Sequence, residues 1–159
     1  MVEQYTIVEI IQAMLAPGIM ISACGLLILG MNNKYSIIVG RIRQMNEEKR
    51  RFMIKAGDTS LLYEDEIRLK SIEHQMRELA ARLSFVRNAV MSYAIAVALF
   101  VLSSMLIGAG FISNSRTFEV IIIIAFSLGM MLVLSGVIFA AMESKKGYDI
   151  VNYEIKTSE

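Results

Sequence analysis

The sequence has one cysteine, one histidine and one proline in 159 residues. With Cys24 alone, an intrachain disulfide is excluded, and Cys24 with His74 is too small a set for the usual protein-only zinc site. There is no phosphate-binding glycine–lysine loop, no HExxH, no CxxC and no pair of acids deep in an apolar run. A serine–histidine couple would have to use His74, which lies on a charged segment away from the apolar serines. These absences lead to the expectation that the chain is not an enzyme and carries no cofactor or metal. Lysine and arginine are missing from the first 33 residues and from the interiors of the long apolar runs. The net charge of +1 gives no basis for expecting nucleic-acid binding.

What the chain has in quantity is apolar length. Hydrophobic residues make up 55% of it and the mean hydropathy is +0.54, too apolar for an ordinary soluble domain. Three runs, 7–31, 89–112 and 120–142, each exceed the ~20 residues that cross ~30 Å of hydrocarbon as a helix. The first run is too long for a signal peptide and is preceded by Glu3 without a basic residue, so it reads as a signal-anchor helix. Residues 32–88 hold twelve of the sixteen Lys and Arg residues. The positive-inside rule then places that segment and the C-terminus in the cytoplasm and the N-terminus outside, in a multi-pass protein of the plasma membrane.

The charged segment has its own periodicity. Large side chains recur at alternating steps of three and four, as Tyr35, Ile38, Ile42, Met45, Lys49, Phe52 and Ala56 on one arm. The second arm carries Leu62, Asp65, Leu69, Ile72, Met76, Leu79, Leu83 and Val86 in the same spacing. This is a heptad seam, and Gly57-Asp58-Thr59-Ser60 between the arms supplies stop and cap residues. The expected fold is therefore all-α, with three transmembrane helices and a cytoplasmic antiparallel coiled-coil hairpin between the first and second. Its parts are residues 1–31 (external N-terminus and first span), 32–88 (hairpin), 89–142 (transmembrane helical hairpin) and 143–159 (cytoplasmic tail). If the turn centres on Gly57, facing residues add to 114, and Lys49 meets Asp65, the two charged members of the seams. That pair would lock the register. On the outer face of the second arm, Glu64–Arg68, Glu66–Lys70, Glu73–Arg77 and Glu78–Arg82 have the i,i+4 spacing of helix-surface ion pairs.

Within the spans, Glu9 and Gln12 lie one turn apart near the outer end of the first, where they suit the mouth of an oligomeric pore. Pro17 removes a backbone donor inside the run and predicts a kink. Gly18, Ser22 and Gly25 form a small-residue stripe, and Gly136 with Ala140 gives the same small-xxx-small spacing in the third span. Gly18, Gly25, Gly136 and Ala140 are thus candidates for helix packing, and Ser22 for a narrower ring in a pore.

The run from Gln12 through Pro17-Gly18 and Ser22-Ala23-Cys24-Gly25 to Leu29, followed by Asn33-Lys34-Tyr35 and Arg41-Ile42-Arg43, resembles a small prokaryotic membrane-protein family catalogued as a domain of unknown function, family 2721. The resemblance covers most of the chain. It implies a three-span architecture and supplies no activity. The order of span, coiled coil and two spans also looks like that of the Oxa1-type membrane insertases, a likeness of topology alone. The expected function is a homo-oligomeric cation channel in the lipid bilayer, lined by the first span. Its alternatives are an insertase-like or chaperone module and a scaffold whose hairpin binds a cytoplasmic protein partner.

Overall fold

A computed structural model of the chain describes residues 7–58, 63–113 and 116–157. Every described residue is helical, in three long helices: α1 (Ile7–Asp58), α2 (Tyr63–Ser113) and α3 (Arg116–Thr157). All three are long and apolar enough to cross a membrane. At 52, 51 and 42 residues they also exceed the ~20 that crossing requires, so each continues past its apolar run. The N-terminal six residues, the Thr59-Ser60 cap, Leu62 of the second seam and the centre of the 113–118 connection lie outside the described residues. The tail backbone is helical to Thr157, while the side chains of Tyr148, Val151 and Ile155 lie outside what is described.

Burial follows a seven-residue interval along α1. Among the described residues Pro17, Cys24, Met31, Ile38 and Met45 are the buried positions of that helix, each seven residues after the last. An undistorted helix drifts against a strict seven-residue repeat, so one seam kept over four intervals marks a helix packed along a single line. The helix passes through Pro17 without ending, and the proline ring is buried. In α2 the described buried positions from Val86 onward fall in two such series, Val86, Tyr93 and Phe100, and Ala89, Ala96 and Ser103, and Ile72 lies two intervals before Val86. In α3 Gly129, Gly136 and Glu143 continue the pattern.

The chain divides into two compact units. The first contains Met1–Met31 and Asn88–Phe139. Its core gathers Cys24, Ala96 and Phe100, with Met20, Val97 and Phe126 packed against them. The Phe100 and Phe126 rings lie 5.3 Å apart, tilted by 57°, in the edge-on range that aromatic quadrupoles favour. Two glycines of α3 receive aromatic rings of α2. A Cβ on Gly136 would stand 2.5 Å from the Tyr93 ring, and one on Gly129 would stand 2.8 Å from the Phe100 ring. Any larger residue there would force the ring to move. Gly18 and Gly25 of α1 differ, with nothing within 4 Å of where a Cβ would be.

The second unit contains Asn32–Arg87 and Ala140–Glu159. Among the described residues Ile38, Met45, Ile72 and Val86 are its buried apolar side chains. The arms of α1 and α2 are tied by three ion pairs. Lys55 Nζ donates to Asp65 Oδ2 at 3.1 Å, Lys49 Nζ to Glu73 Oε1 at 2.7 Å, and Arg68 Nε to Glu48 Oε1 at 3.0 Å. Partner numbers rise on one arm as they fall on the other for the two lysine pairs, so the arms run antiparallel.

Candidate functional site

Three helices of the second unit meet at one carboxylate. Glu143 of α3, its side chain 2% exposed, accepts from Lys34 Nζ of α1 at 2.8 Å and from Arg82 Nη2 of α2 at 2.7 Å. Lys34 also donates to Ser144 Oγ at 2.9 Å. One acid shared by two bases is the arrangement that makes burial of a carboxylate tolerable, because each oxygen receives a charged donor. Arg82 reaches Glu143 across Gly147, where a Cβ would stand 2.8 Å from Nη2 and 3.2 Å from the guanidinium carbon. The terminal nitrogens could swing away from such a Cβ, but only by giving up the bond to Glu143.

An open cavity of about 390 Å³ adjoins this cluster, with Lys34, Ile37, Arg82, Glu143, Ser144 and Gly147 in its wall. Arg82 Nε is buried and has no acceptor. An unmet donor of that kind costs about 1–3 kcal/mol. Close by, the Lys146 ammonium lies 5.1 Å from the centre of the Phe85 ring, a cation–π contact. Among the described residues no group of three His, Cys, Asp or Glu could hold a metal ion.

Sequence periodicity could have found Glu143. It follows Gly129 and Gly136 at intervals of seven, on the side of α3 that packs. Nothing in the spacing named its partners. Lys34 and Arg82 are 109 and 61 residues away, and only the assembled helices bring them together.

The expected pairing of Lys49 with Asp65 does not form. Lys49 binds Glu73, and Asp65 binds Lys55. The reason is the position of the turn. Helix α1 runs through Gly57 to Asp58 and α2 begins at Tyr63, so facing residues add to about 121, one heptad beyond the expected 114. The two lysine pairs agree, adding to 122 and 120, while Arg68–Glu48 is a diagonal contact reached by a long guanidinium. A heptad shift keeps apolar positions opposite one another and changes only the charged partners. The Lys49 ammonium holds the Glu73 carboxyl below the usual carboxylate range, with a smaller pull from Arg77.

Of the residues expected in surface ion pairs along α2, Arg68, Glu73 and Arg82 are bonded across to other helices, to Glu48, Lys49 and Glu143. The side chain of Glu64, the expected partner of Arg68, lies outside the described residues. Among the described residues the i,i+4 pair that forms is Glu47–Arg51 on α1, at 3.9 Å.

The residues singled out in the first span sit apart from this cluster. With the buried positions of α1 as heptad position a, Gln12 falls at c, Gly18 and Gly25 at b, Ser22 at f and Glu9 at g. Glu9, Gln12, Ser22 and Gly25 are all exposed. Ser22 Oγ donates to Gly18 O of its own helix at 3.3 Å, and Gln12 makes no hydrogen bond among the described residues. Glu9 lies in the first turn, where a negative charge is favoured by the helix dipole. Gly136 is buried against Tyr93, and Ala140 is partly buried.

A family model described as "Protein of unknown function (DUF2721)" matches residues 14–153. No curated protein and no solved structure matches the chain.

Proposed function

The chain belongs to the DUF2721 family, a family of unknown function, and on its geometry we propose that it is the protomer of a homo-oligomeric cation channel whose pore is lined by α1. Gln12 is the observation that carries this reading. It lies inside an apolar run, on the side of α1 turned away from the buried seam, and is exposed in the single chain. An amide left in hydrocarbon without a partner costs several kcal/mol. A second copy of α1, or a water column enclosed by several copies, removes that cost. The open positions at Gly18 and Gly25, beside the buried seam, allow close helix approach next to that surface. In this arrangement Glu9 contributes an acidic ring at the outer mouth. The arms of α1 and α2 form a cytoplasmic coiled-coil hairpin that assembles or gates the oligomer, with the N-terminus outside and the C-terminus in the cytoplasm of the cell membrane.

Reconstitution into planar bilayers tests the proposal. The expected result is a cation-selective conductance, with Glu9→Gln lowering cation preference and weakening block by divalent ions. Chains that stay monomeric in lipid nanodiscs and pass no current under any voltage, calcium or pH condition would sink it.

A scaffold role is the second reading, favoured by a specific observation. Met53, Ile54, Tyr63 and Ile67, near the end of α1 and the start of α2, are all more than half exposed. Such an apolar group on a charged hairpin suits a protein partner. The insertase-like reading ranks lower. It calls for a basic residue within the membrane, and the three apolar runs contain no Lys or Arg.

A further inference from the structure

We propose that the cavity beside Lys34, Arg82 and Ser144 binds the phosphate of an anionic phospholipid headgroup. The first argument is place along the chain. Lys34 comes three residues after the apolar run 7–31, and Glu143 follows the run 120–142 directly. Side chains at these positions sit where hydrocarbon gives way to headgroups.

The second argument is charge. Among the described residues Glu143 is the one acid in the cavity wall, beside Lys34 and Arg82, which leaves a surplus of one positive charge. Glu143 does not cancel the site. By binding both Lys34 and Arg82 it fixes two cations in position before a ligand arrives, and Gly147 keeps the path of the guanidinium clear.

The third argument is the remaining hydrogen-bond capacity. Lys34 uses two of its three N–H groups, on Glu143 and Ser144, and its side chain is 43% exposed. An added phosphate oxygen supplies an acceptor for the remaining Lys34 N–H. The cavity volume of about 390 Å³ accommodates a phosphodiester with its glycerol, and the exposed Ile37 gives the rim an apolar contact. A zwitterionic choline headgroup fits less well, since its own cation would meet the lysines. This site is independent of whether the chain conducts ions.

Native mass spectrometry of the full-length protein in detergent, titrated with phosphatidylglycerol, phosphatidylcholine or inorganic phosphate, tests the assignment. Phosphatidylglycerol should bind about tenfold more tightly than phosphatidylcholine. Ser144→Glu puts an acid on the exposed side of the cavity and should abolish most of that preference. Ile37→Glu, at the exposed rim, should do the same by a route that leaves the Lys34 hydrogen bonds in place. Lys70→Gln, an exposed lysine on α2, should change it less than twofold. Equal binding of the two lipids, or a preference that survives both cavity variants, would overturn the proposal. Displacement of phosphatidylglycerol by millimolar inorganic phosphate would also overturn it, by showing that the site serves a soluble anion.

Discussion

Glu143 is the residue whose environment is most unlike its type. A glutamate with a 2% exposed side chain is tolerated only because two cations meet it, and they arrive on different helices. The two ways of breaking the cluster should therefore differ. Glu143→Gln removes the acid and leaves Lys34 and Arg82, whose side chains are 43% and 23% exposed and retain some access to water. That change should cost about 1–3 kcal/mol. Replacing both bases, Lys34→Met with Arg82→Met, strands a buried carboxylate and should cost about 3–5 kcal/mol. Adding Glu143→Leu to that double variant should recover most of the loss, because an apolar trio needs no pairing. Thermal unfolding in detergent measures all three. Equal losses for the single and double variants would mean that the carboxylate is not held by these charges. The sequence did show an acid just past the third apolar run. It could not show that the acid faces inward toward Lys34, because 109 residues separate the two and no local spacing links them.

At the scale of elements, heptad spacing determined that the two arms would pair but left their offset open. A seam of apolar residues spaced by seven matches a partner seam equally well after a slide of seven. Centring the turn on Gly57 chose one of these offsets, and the continuation of α1 to Asp58 with α2 starting at Tyr63 selects the next. The charges respond to that choice, so Lys49 pairs with Glu73 and Lys55 with Asp65. Cysteine pairs joined by a short bis-maleimide should report the register directly. Lys49→Cys with Glu73→Cys and Lys55→Cys with Asp65→Cys should crosslink within one chain, while Lys49→Cys with Asp65→Cys should not. Efficient linkage of the last pair would restore the shorter turn. The α2–α3 packing in the apolar unit was partly readable from glycine. Gly136 stood out by its spacing to Ala140, whereas the Tyr93 ring that fills the space beside it did not, since a tyrosine in an apolar run looks like an interfacial anchor.

For the whole molecule the governing feature is the uneven distribution of Lys and Arg, twelve of sixteen within residues 32–88. In a connecting segment shorter than ~60 residues a Lys/Arg excess of this size sets the orientation, so the segment should remain on the cytoplasmic side. A cysteine introduced at Asp58 in a Cys24→Ala background should resist a membrane-impermeant maleimide in intact cells and react after permeabilisation. Labelling before permeabilisation would invert the orientation and place Glu9 on the inner side.

The sequence by itself determined that the chain is helical and has three helices able to cross a membrane. Both follow from composition and run length, which need no knowledge of neighbours. It also marked the seven-residue seam, because burial on one side of a helix writes its own period into the side chains. Tertiary structure alone decided the partners: Tyr93 against Gly136, Lys49 with Glu73, and Lys34 and Arg82 on Glu143. The reason is common to all of them. A periodic helix specifies which side is buried, but every seven-residue slide presents nearly the same side, so the choice among slides falls to the turn and to the close fits that only the assembled helices contain.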